Sequence, residues 1–251
     1  RVAAMSDPGS YPHRPAGVEM VQTHISYVFI AGDEVYKVKK AVDFGFLDFT
    51  TLEKRRHYCH EELRLNRRLA PETYLEVATI REEGRDGRLV LGADGGAGGR
   101  VVDYAVRMRK LPPERMLKRL IVARDFDPAV FTAIADKLAA FHRQAETGGR
   151  IDEIGSPETI RHNHEENFAQ TEKYIGMTIP DFQFRFIRNY IFRFMEENAA
   201  LLARRVREHR IRDGHGDLHL EHIVVDREIV IFDCIEFNER FRYSDVAAEA
   251  A

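Results

Sequence analysis

The sequence contains no tryptophan, only two cysteines and no long apolar run. Cys59 and Cys234 lie far apart in the chain and form no Cys-x-x-Cys pair, so we expect two free thiols, as in a reducing cytoplasm. A membrane-spanning helix needs about 20 consecutive apolar residues, which this sequence does not contain. Residues 1–10 also lack the apolar core of a signal peptide. These absences predict a cytoplasmic protein that does not enter a membrane.

The chain also lacks an excess of charge of either sign. Its 38 Lys and Arg residues nearly balance 41 Asp and Glu residues, which gives a formal net charge of −3. A protein that binds nucleic acid through phosphate contacts is usually more basic, so no nucleic-acid partner is expected. With 251 residues, 44% of them hydrophobic, the chain is long enough for one large domain or two lobes.

The first half of the chain has the pattern of a β-rich unit. Residues 1–17, which contain several prolines and glycines, are expected to form a loose leader. A capping box at Thr50 and Glu53 begins a helix that we expect to end near Leu69. The glycine-rich residues 92–99 are expected to form a flexible link between two strands. The predicted strands cover residues 18–25, 26–31, 34–40, 74–81, 89–91 and 101–109.

After Pro112 and Pro113 the pattern becomes helical. Residues 128–144 have the apolar spacing of an amphipathic helix, and residues 181–209 are predicted to form one long helix. A short hairpin is expected at residues 223–232. The long helix has an aromatic and apolar stripe that is predicted to pack in the core: Phe182, Phe186, Tyr190, Phe194 and Leu201.

The stretch of residues 215–233 contains residue types that phosphoryl transfer requires. That reaction needs a lysine at the phosphates, a carboxylate that holds the lysine, a base for the acceptor hydroxyl, and magnesium ligands. Asp217 is the candidate base, and His222 lies five positions after it. Asp233 ends the apolar run at residues 229–232, where a rigid strand would hold a magnesium ligand in place.

The sequences His-Gly-Asp-Leu-His at residues 215–219 and Phe-Asp-Cys-Ile-Glu-Phe at residues 232–237 resemble the aminoglycoside phosphotransferase and choline kinase family. More narrowly, the chain is similar to a bacterial branch whose members are often fused to a P-loop ATPase domain. The resemblance extends through most of the chain from about Val21. Further segments that support it are residues 23–26, 35–40, 44–49, 61–66 and 233–245.

The resemblance implies an α+β, two-lobed protein-kinase-like fold. Residues 18–110 would form an N-lobe with a mainly antiparallel sheet and one helix, and residues 111–251 would form a helical C-lobe. ATP would bind between the lobes together with Mg²⁺. Since members of the branch continue beyond the position of Ala251, further helices and a fused or separate P-loop ATPase domain are also expected.

The resemblance assigns Lys37 to the ATP phosphates. Val35 lies on the same face of the predicted strand and would cover the adenine, while Lys39, also on that face, is the second choice. Glu62 matches the helix glutamate that pairs with the lysine, with Glu61 as the alternative.

The other site residues implied by the resemblance lie later in the chain. Residues 106–110, with Met108 at their centre, would form the hinge that contacts the adenine edge. Asp217 would be the catalytic base, and Asp233 and His222 the metal ligands. His222 stands where the family usually has asparagine, and magnesium prefers oxygen ligands to imidazole. The resemblance therefore also allows His222 to act through a water molecule or to position Asp217.

Two other functions remain open at this point. A nucleotide-binding pseudokinase is one, because His222 departs from the usual metal ligand. A metal-dependent hydrolase that binds zinc through His215, His219 and His222 is the other, although their spacing does not match His-Glu-x-x-His. For the kinase, the acceptor is expected to be a hydroxyl of a small molecule such as a sugar, an aminoglycoside-like compound or an amino alcohol. No motif in residues 143–213 narrows that choice.

Overall fold

A computed structural model describes residues 2–84, 87–96 and 98–250. Arg1 of the predicted leader, Ala97 of the predicted glycine-rich link and Ala251 at the end of the predicted C-lobe lie outside the described residues. The described chain has a mixed α+β architecture with a six-stranded antiparallel sheet, which confirms the predicted class.

The strands of the large sheet lie in the order β1-β2-β3-β6-β4-β5. Their bounds are β1 Val18–Gln22, β2 Ser26–Ala31, β3 Glu34–Lys39, β4 Tyr74–Glu83, β5 Arg88–Ala93 and β6 Arg100–Arg109. In the central pair, Val35 of β3 lies opposite Met108 of β6, and Lys37 lies opposite Val106. Two small ladders pair β7 with β10 and β8 with β9; these strands are β7 Ile211–Asp213, β8 Ile223–Val225, β9 Ile229–Ile231 and β10 Tyr243–Asp245.

Ten α-helical segments are found in the described residues. They are α1 Val2–Met5, α2 Leu52–Asn66, α3 Leu117–Ala123, α4 Ala129–Gln144, α5 Arg150–Ile154, α6 Pro157–Thr171, α7 Asp181–Glu197, α8 Ala199–Arg207, α9 Glu239–Arg242 and α10 Val246–Ala250. Short 3₁₀ turns lie at Pro8–Ser10, Pro113–Arg115, Glu172–Tyr174 and Leu220–His222. Within the described residues, none of these helices combines the length and the hydropathy needed to cross a membrane.

The chain divides into two compact units that differ from the predicted lobes at 18–110 and 111–251. The first unit comprises Arg1–Phe141 and Leu218–Asn238, and the second comprises His142–Asp217 and Glu239–Ala251. Helix α3, most of α4 and the β8–β9 hairpin therefore belong with the sheet. One cluster of buried residues joins these elements to the segment that follows α2. The cluster consists of Leu69, Leu117, Val130, Ile134, Leu138, Phe141, Ile223 and Ile231.

In the first unit, helix α2 packs on one face of the sheet. The side chain of Thr51 caps the helix by accepting a hydrogen bond from the amide of Lys54, so the cap lies one residue after the predicted Thr50. Buried Cys59 on α2 packs in one cluster with Val77 of β4 and Val106 of β6. This packing places the buried residues of α2 beside the central strands.

Part of the predicted loose leader, residues 4–11, packs on the sheet. Met5 and Tyr11 are buried against the other face of the sheet, in one cluster with Phe29 and Tyr36. The Tyr11 hydroxyl donates a 2.7 Å hydrogen bond to the carbonyl of Met5. Proline and glycine indicated an irregular backbone there, but the apolar sheet face requires a cover, and this segment provides it.

In the second unit, the predicted long helix and its core stripe are both wrong. The helix divides at Asn198 into α7 and α8. On α7 the predicted stripe is exposed, with Phe182 and Phe186 each 69% exposed, while the buried face contains Phe184 and Phe192. Because both faces of α7 contain aromatic residues, helical spacing alone did not show which face is covered.

The two faces of α7 give a stability test. Phe184→Ala should lower the free energy of unfolding by about 3 to 5 kcal/mol, as expected for a buried aromatic side chain that packs on Phe168. Phe186→Ala on the same helix should change it by only about 0.5 kcal/mol, because that side chain is exposed. Urea unfolding of the two variants measures both values. Equal losses would contradict the exposed position of Phe186.

Candidate active site

Strand β3 presents two lysines to helix α2. Lys37 and Lys39 lie two positions apart and therefore project from the same face of the strand. Lys37 Nζ lies 2.9 Å from Glu62 Oε1, and Lys39 Nζ donates to Glu62 Oε2 at 2.6 Å. Glu62 is fully buried, and each oxygen of its carboxylate contacts a lysine ammonium group of β3.

Asp233 completes the outer end of this cluster. It comes after strand β9, and its Oδ1 accepts a 2.5 Å hydrogen bond from Lys37 Nζ. Its backbone has φ of 64°, a left-handed conformation that is uncommon outside glycine. Two neighbours hold that conformation: the Asp233 amide donates to Tyr74 Oη at 3.1 Å, and the Cys234 amide donates to Asn66 Oδ1 at 2.9 Å.

A second buried carboxylate, Glu236, lies at the inner end. Lys39 Nζ donates to Glu236 Oε1, and the Lys39 side chain is only 1% exposed. The Lys39 ammonium also lies 4.9 Å from the centre of the Phe49 ring, a favourable cation–π contact. The contact between Glu236 and Lys39 was not predicted from the sequence.

The charges of the cluster are set by competition between burial and the opposite charges nearby. Burial disfavours the charged form of Lys37, but Asp233 and Glu62 outweigh it and hold the Lys37 pKa well above its ordinary value. Burial likewise opposes ionisation of Asp233, and Lys37 overcomes this, which lowers the Asp233 pKa to about 2. Glu62 remains ionised because Lys37 and Lys39 together lower its pKa against the effect of burial. At neutral pH the outer end therefore pairs an ammonium with a carboxylate.

A cavity of about 300 Å³ opens beside Lys37 and Asp233. Its walls are mostly apolar, with Val28, Val35 and Phe232 among the lining residues. One charged end and apolar walls fit a ligand with a flat apolar body and an anionic tail.

The predicted hinge borders this cavity, since Met108 and the residues after it line it. The amides of Arg109 and Lys110 already donate to the carbonyls of Thr73 and Asp33, at 2.8 Å and 2.9 Å. Any ligand edge would therefore have to use other backbone groups of this segment, because those two amides are satisfied within the protein.

His222 lies close to Asp233, with 3.6 Å between its Nε2 and Asp233 Oδ2. Its ring also contacts His219 and Phe232. Asp233 provides the kind of oxygen ligand that magnesium prefers, and its side chain is 39% exposed at the cavity. Since magnesium often binds one carboxylate together with phosphate oxygens and water, Asp233 fits the ion, whereas the imidazole of His222 suits a role in orienting Asp233.

Asp217 belongs to the second unit, where Glu249 organises the backbone before it. The buried carboxylate of Glu249 accepts hydrogen bonds from the amides of His215 and Gly216 and contacts His142 Nε2 at 2.6 Å. Gly216 has φ of 84°, and a Cβ there would lie 2.9 Å from a backbone oxygen, so only glycine fits. The Asp217 amide donates to His215 Nδ1 at 3.3 Å.

The two candidate lysines and the two candidate glutamates differ in their surroundings. Lys37 lines the cavity, whereas Lys39 is enclosed between two carboxylates. Glu62 contacts both lysines, whereas Glu61 pairs with Arg64. The roles of these residues in a reaction remain predictions.

Four residues support the site in ways that were not predicted from the sequence: Asn66, Tyr74, Glu236 and Glu249. For Glu236 a signal existed, since a carboxylate three positions after Asp233 is unusual in a segment that is otherwise apolar. Asn66 and Tyr74 gave no such signal, because their partners are backbone amides distant in sequence.

Comparison with known proteins finds long relatives that are themselves uncharacterized. Over 235 residues the chain is 31% identical to the uncharacterized protein Rv2004c of Mycobacterium tuberculosis and, equally, to the uncharacterized protein Mb2027c of Mycobacterium bovis. The match covers 93% of this chain but only 44% of each relative, so the chain spans less than half the length of these relatives. No family model matches the sequence.

Among solved structures, the chain is similar to a choline/ethanolamine kinase family protein from Mesorhizobium loti. The alignment covers 99% of this chain and 68% of that one, with a TM-score of 0.46 and 10% sequence identity. A functional assignment therefore has to rest on the site itself.

The Asp233 pair predicts a pH dependence of stability. The pKa of Asp233 falls from an ordinary 3.8 to about 2 in the folded protein. The ionised carboxylate therefore contributes fully to folding stability above the ordinary pKa, and this contribution is lost as the pH falls toward the folded pKa. The stability difference between wild type and Asp233→Asn should therefore shrink as the pH falls from about 4 toward about 2. Denaturant unfolding at each pH measures the difference.

Asp226→Asn is the matched control, because Asp226 lies exposed between β8 and β9 of the same hairpin. This variant should behave as wild type does at every pH. A constant difference between wild type and Asp233→Asn across the acid range would contradict the ion pair with Lys37.

Proposed function

We propose that this protein is an ATP-dependent phosphotransferase that moves the γ-phosphate to a hydroxyl group of a small molecule. The observation that supports it most is the apolar cavity that ends at Lys37 and Asp233, with Glu62 behind the lysine. Phosphoryl transfer depends chiefly on positioning and electrostatic stabilisation, and these groups supply both.

The adenine would occupy the apolar part of the cavity. Val28, Val35 and Met108 line that part, and its size of about 300 Å³ suits a ligand of this kind. The phosphates would then extend toward Lys37, which remains an ammonium throughout the physiological pH range because its pKa is raised.

Magnesium would be held by Asp233 together with phosphate oxygens, and when bound it neutralises charge on the transferred phosphate. Asp233 is ionised at neutral pH and accessible from the cavity, as such a ligand must be. In this proposal His222 keeps the Asp233 carboxylate oriented.

Asp217 is the proposed base, on the strength of its place in the His-Gly-Asp-Leu-His segment. It would orient the acceptor hydroxyl and accept its proton. Hydrogen bonds from the amides of His215 and Gly216 to Glu249 hold the backbone before Asp217 in place. A fixed backbone suits a catalytic group, because the reaction rate depends on the position of that group. The acceptor class remains a small-molecule alcohol: a sugar, an aminoglycoside-like compound or an amino alcohol.

The whole natural protein is proposed to contain or bind a further domain. The relatives are more than twice as long as the matched region, and the family resemblance suggests a P-loop ATPase domain for the remainder. An activity measured on this chain alone would therefore describe the phosphotransfer unit.

Binding of ATP with magnesium gives the first test. At a ligand concentration about a hundredfold above Kd, binding should stabilise the wild type by about 2.7 kcal/mol, which a thermal-shift titration detects. Asp233→Asn should lose the part of the shift that depends on magnesium, and Lys37→Met should lose most of the shift.

Asp226→Asn controls for the loss of a carboxylate from the same hairpin and should bind as wild type does. Absence of any shift in the wild type, with ATP and magnesium at millimolar concentrations, would contradict the proposed nucleotide site.

Catalysis gives the second test. With an acceptor found by screening small alcohols for ADP release, Asp217→Asn should lower kcat by about 10² to 10⁴-fold, because a general base is lost. Its affinity for ATP should change little. Unchanged turnover in this variant would remove Asp217 from the mechanism, whereas ATP binding by wild type without turnover on any acceptor would favour the pseudokinase.

A further inference from the structure

Five buried or partly buried charges form an alternating series in the first unit. From the cavity inward the series is Asp233, Lys37, Glu62, Lys39 and Glu236. Each lysine lies between two carboxylates, and Glu62 lies between the two lysines. The two end members, Asp233 and Glu236, are only three residues apart in the chain. The segment that contains both is therefore attached to strand β3 at two points.

The outer and inner attachments differ in exposure. Asp233 is 39% exposed and Lys37 lines the cavity, so a ligand can reach this pair. Lys39 and Glu236 are enclosed, and Lys39 is not among the residues that line that cavity. A ligand that enters can exchange partners only with the outer pair.

The proposed reaction would break the outer attachment. Lys37 would bind phosphate oxygens. The Asp233 carboxylate, which accepts a hydrogen bond from Lys37 in the free protein, would bind magnesium instead. After that exchange, the side-chain attachment of this segment to β3 would depend on Lys39 and Glu236 alone.

We propose that Lys39 and Glu236 form a permanent second ion pair that keeps Glu62 and the Asp233 segment in place while the Lys37–Asp233 pair is exchanged for nucleotide and metal. They are positioning residues. Lys39 acts through Glu62, whose second oxygen it binds, and Glu236 acts through the short segment back to Asp233. The Lys39–Glu236 pair, called the clamp below, exists in the free protein. Its effect on the binding of nucleotide and magnesium rests on the proposed function.

Hydrogen exchange at the amides of Asp233 and Cys234 tests the clamp without any nucleotide. These amides are bonded to Tyr74 and Asn66, so their protection reports whether the segment stays in place. In Lys37→Met, which removes the outer pair, protection should stay within about threefold of wild type. In the double variant Lys39→Met with Glu236→Leu, both amides should exchange at least about tenfold faster.

The double variant removes both charges of the pair, which usually costs far less stability than removing one. A matched control is the double variant Arg55→Met with Asp103→Leu, which removes another largely buried pair between α2 and β6 that does not contact Glu62. It should leave the two amides protected. Loss of protection in Lys37→Met, or full protection in the Lys39 and Glu236 double variant, would overturn the proposal.

If that double variant does not fold, Glu236→Gln replaces it, because glutamine keeps the shape and a weaker hydrogen bond to Lys39. The same two amides should then exchange several-fold faster while the urea midpoint of the whole protein changes little. Exchange that rises only in proportion to a loss of global stability would show a merely structural role and would overturn the proposal.

The consequence for ligand binding is measured separately. In the Lys39 and Glu236 double variant, or in Glu236→Gln if the double variant does not fold, magnesium should strengthen ATP binding about tenfold less than in wild type. An equal effect of magnesium in variant and wild type would refute the positioning role. If wild type does not respond to ATP, the proposed function fails, and the exchange experiment still decides whether the clamp exists.

Discussion

The buried carboxylate of Glu62 is the constraint on which the site depends. A lone carboxylate without access to water would be forced to take up a proton, because burial disfavours its charge. Two lysines from one strand prevent this and keep its pKa low. Their spacing of two residues is what a β-strand requires if both are to face helix α2. The position of α2 against the sheet, the direction of Lys37 and the burial of Lys39 therefore belong to one electrostatic arrangement.

That arrangement also explains an unusual backbone. Asp233 has a left-handed conformation, which costs about 1 to 3 kcal/mol outside glycine and persists only where neighbours enforce it. Tyr74 and Asn66 bind the amides at this turn, and Lys37 binds the side chain. The Asp233 residue at this turn lines the cavity. Asp233 thus combines a strained backbone, an ion pair and a position at the cavity, a combination that is typical of functional sites.

Much of the fold could be predicted from local patterns. Alternation of apolar and polar residues located all six strands of the large sheet, with ends that differ by a few residues, and helical spacing located α4 and its buried Ile134, Leu138 and Phe141. The failures have a common cause. The leader looked irregular but covers an apolar sheet face, and the stripe of Phe182 and Phe186 looked like core but is exposed. Which surface covers which is a long-range property, so periodicity within one segment does not contain it.

For the site, local sequence predicts the candidate residue types and their order: a strand with two lysines, a helix with the glutamate, the Asp217 segment and a strand followed by Asp233. It did not determine which lysine faces the cavity, which glutamate lies behind it, or that Glu236 joins the cluster. These points depend on how strand β3, helix α2 and the Asp233 segment pack together. The physical reason is that the charge of a buried group is stabilised by partners far away in the chain, and those partners come together only when the sheet and helix pack.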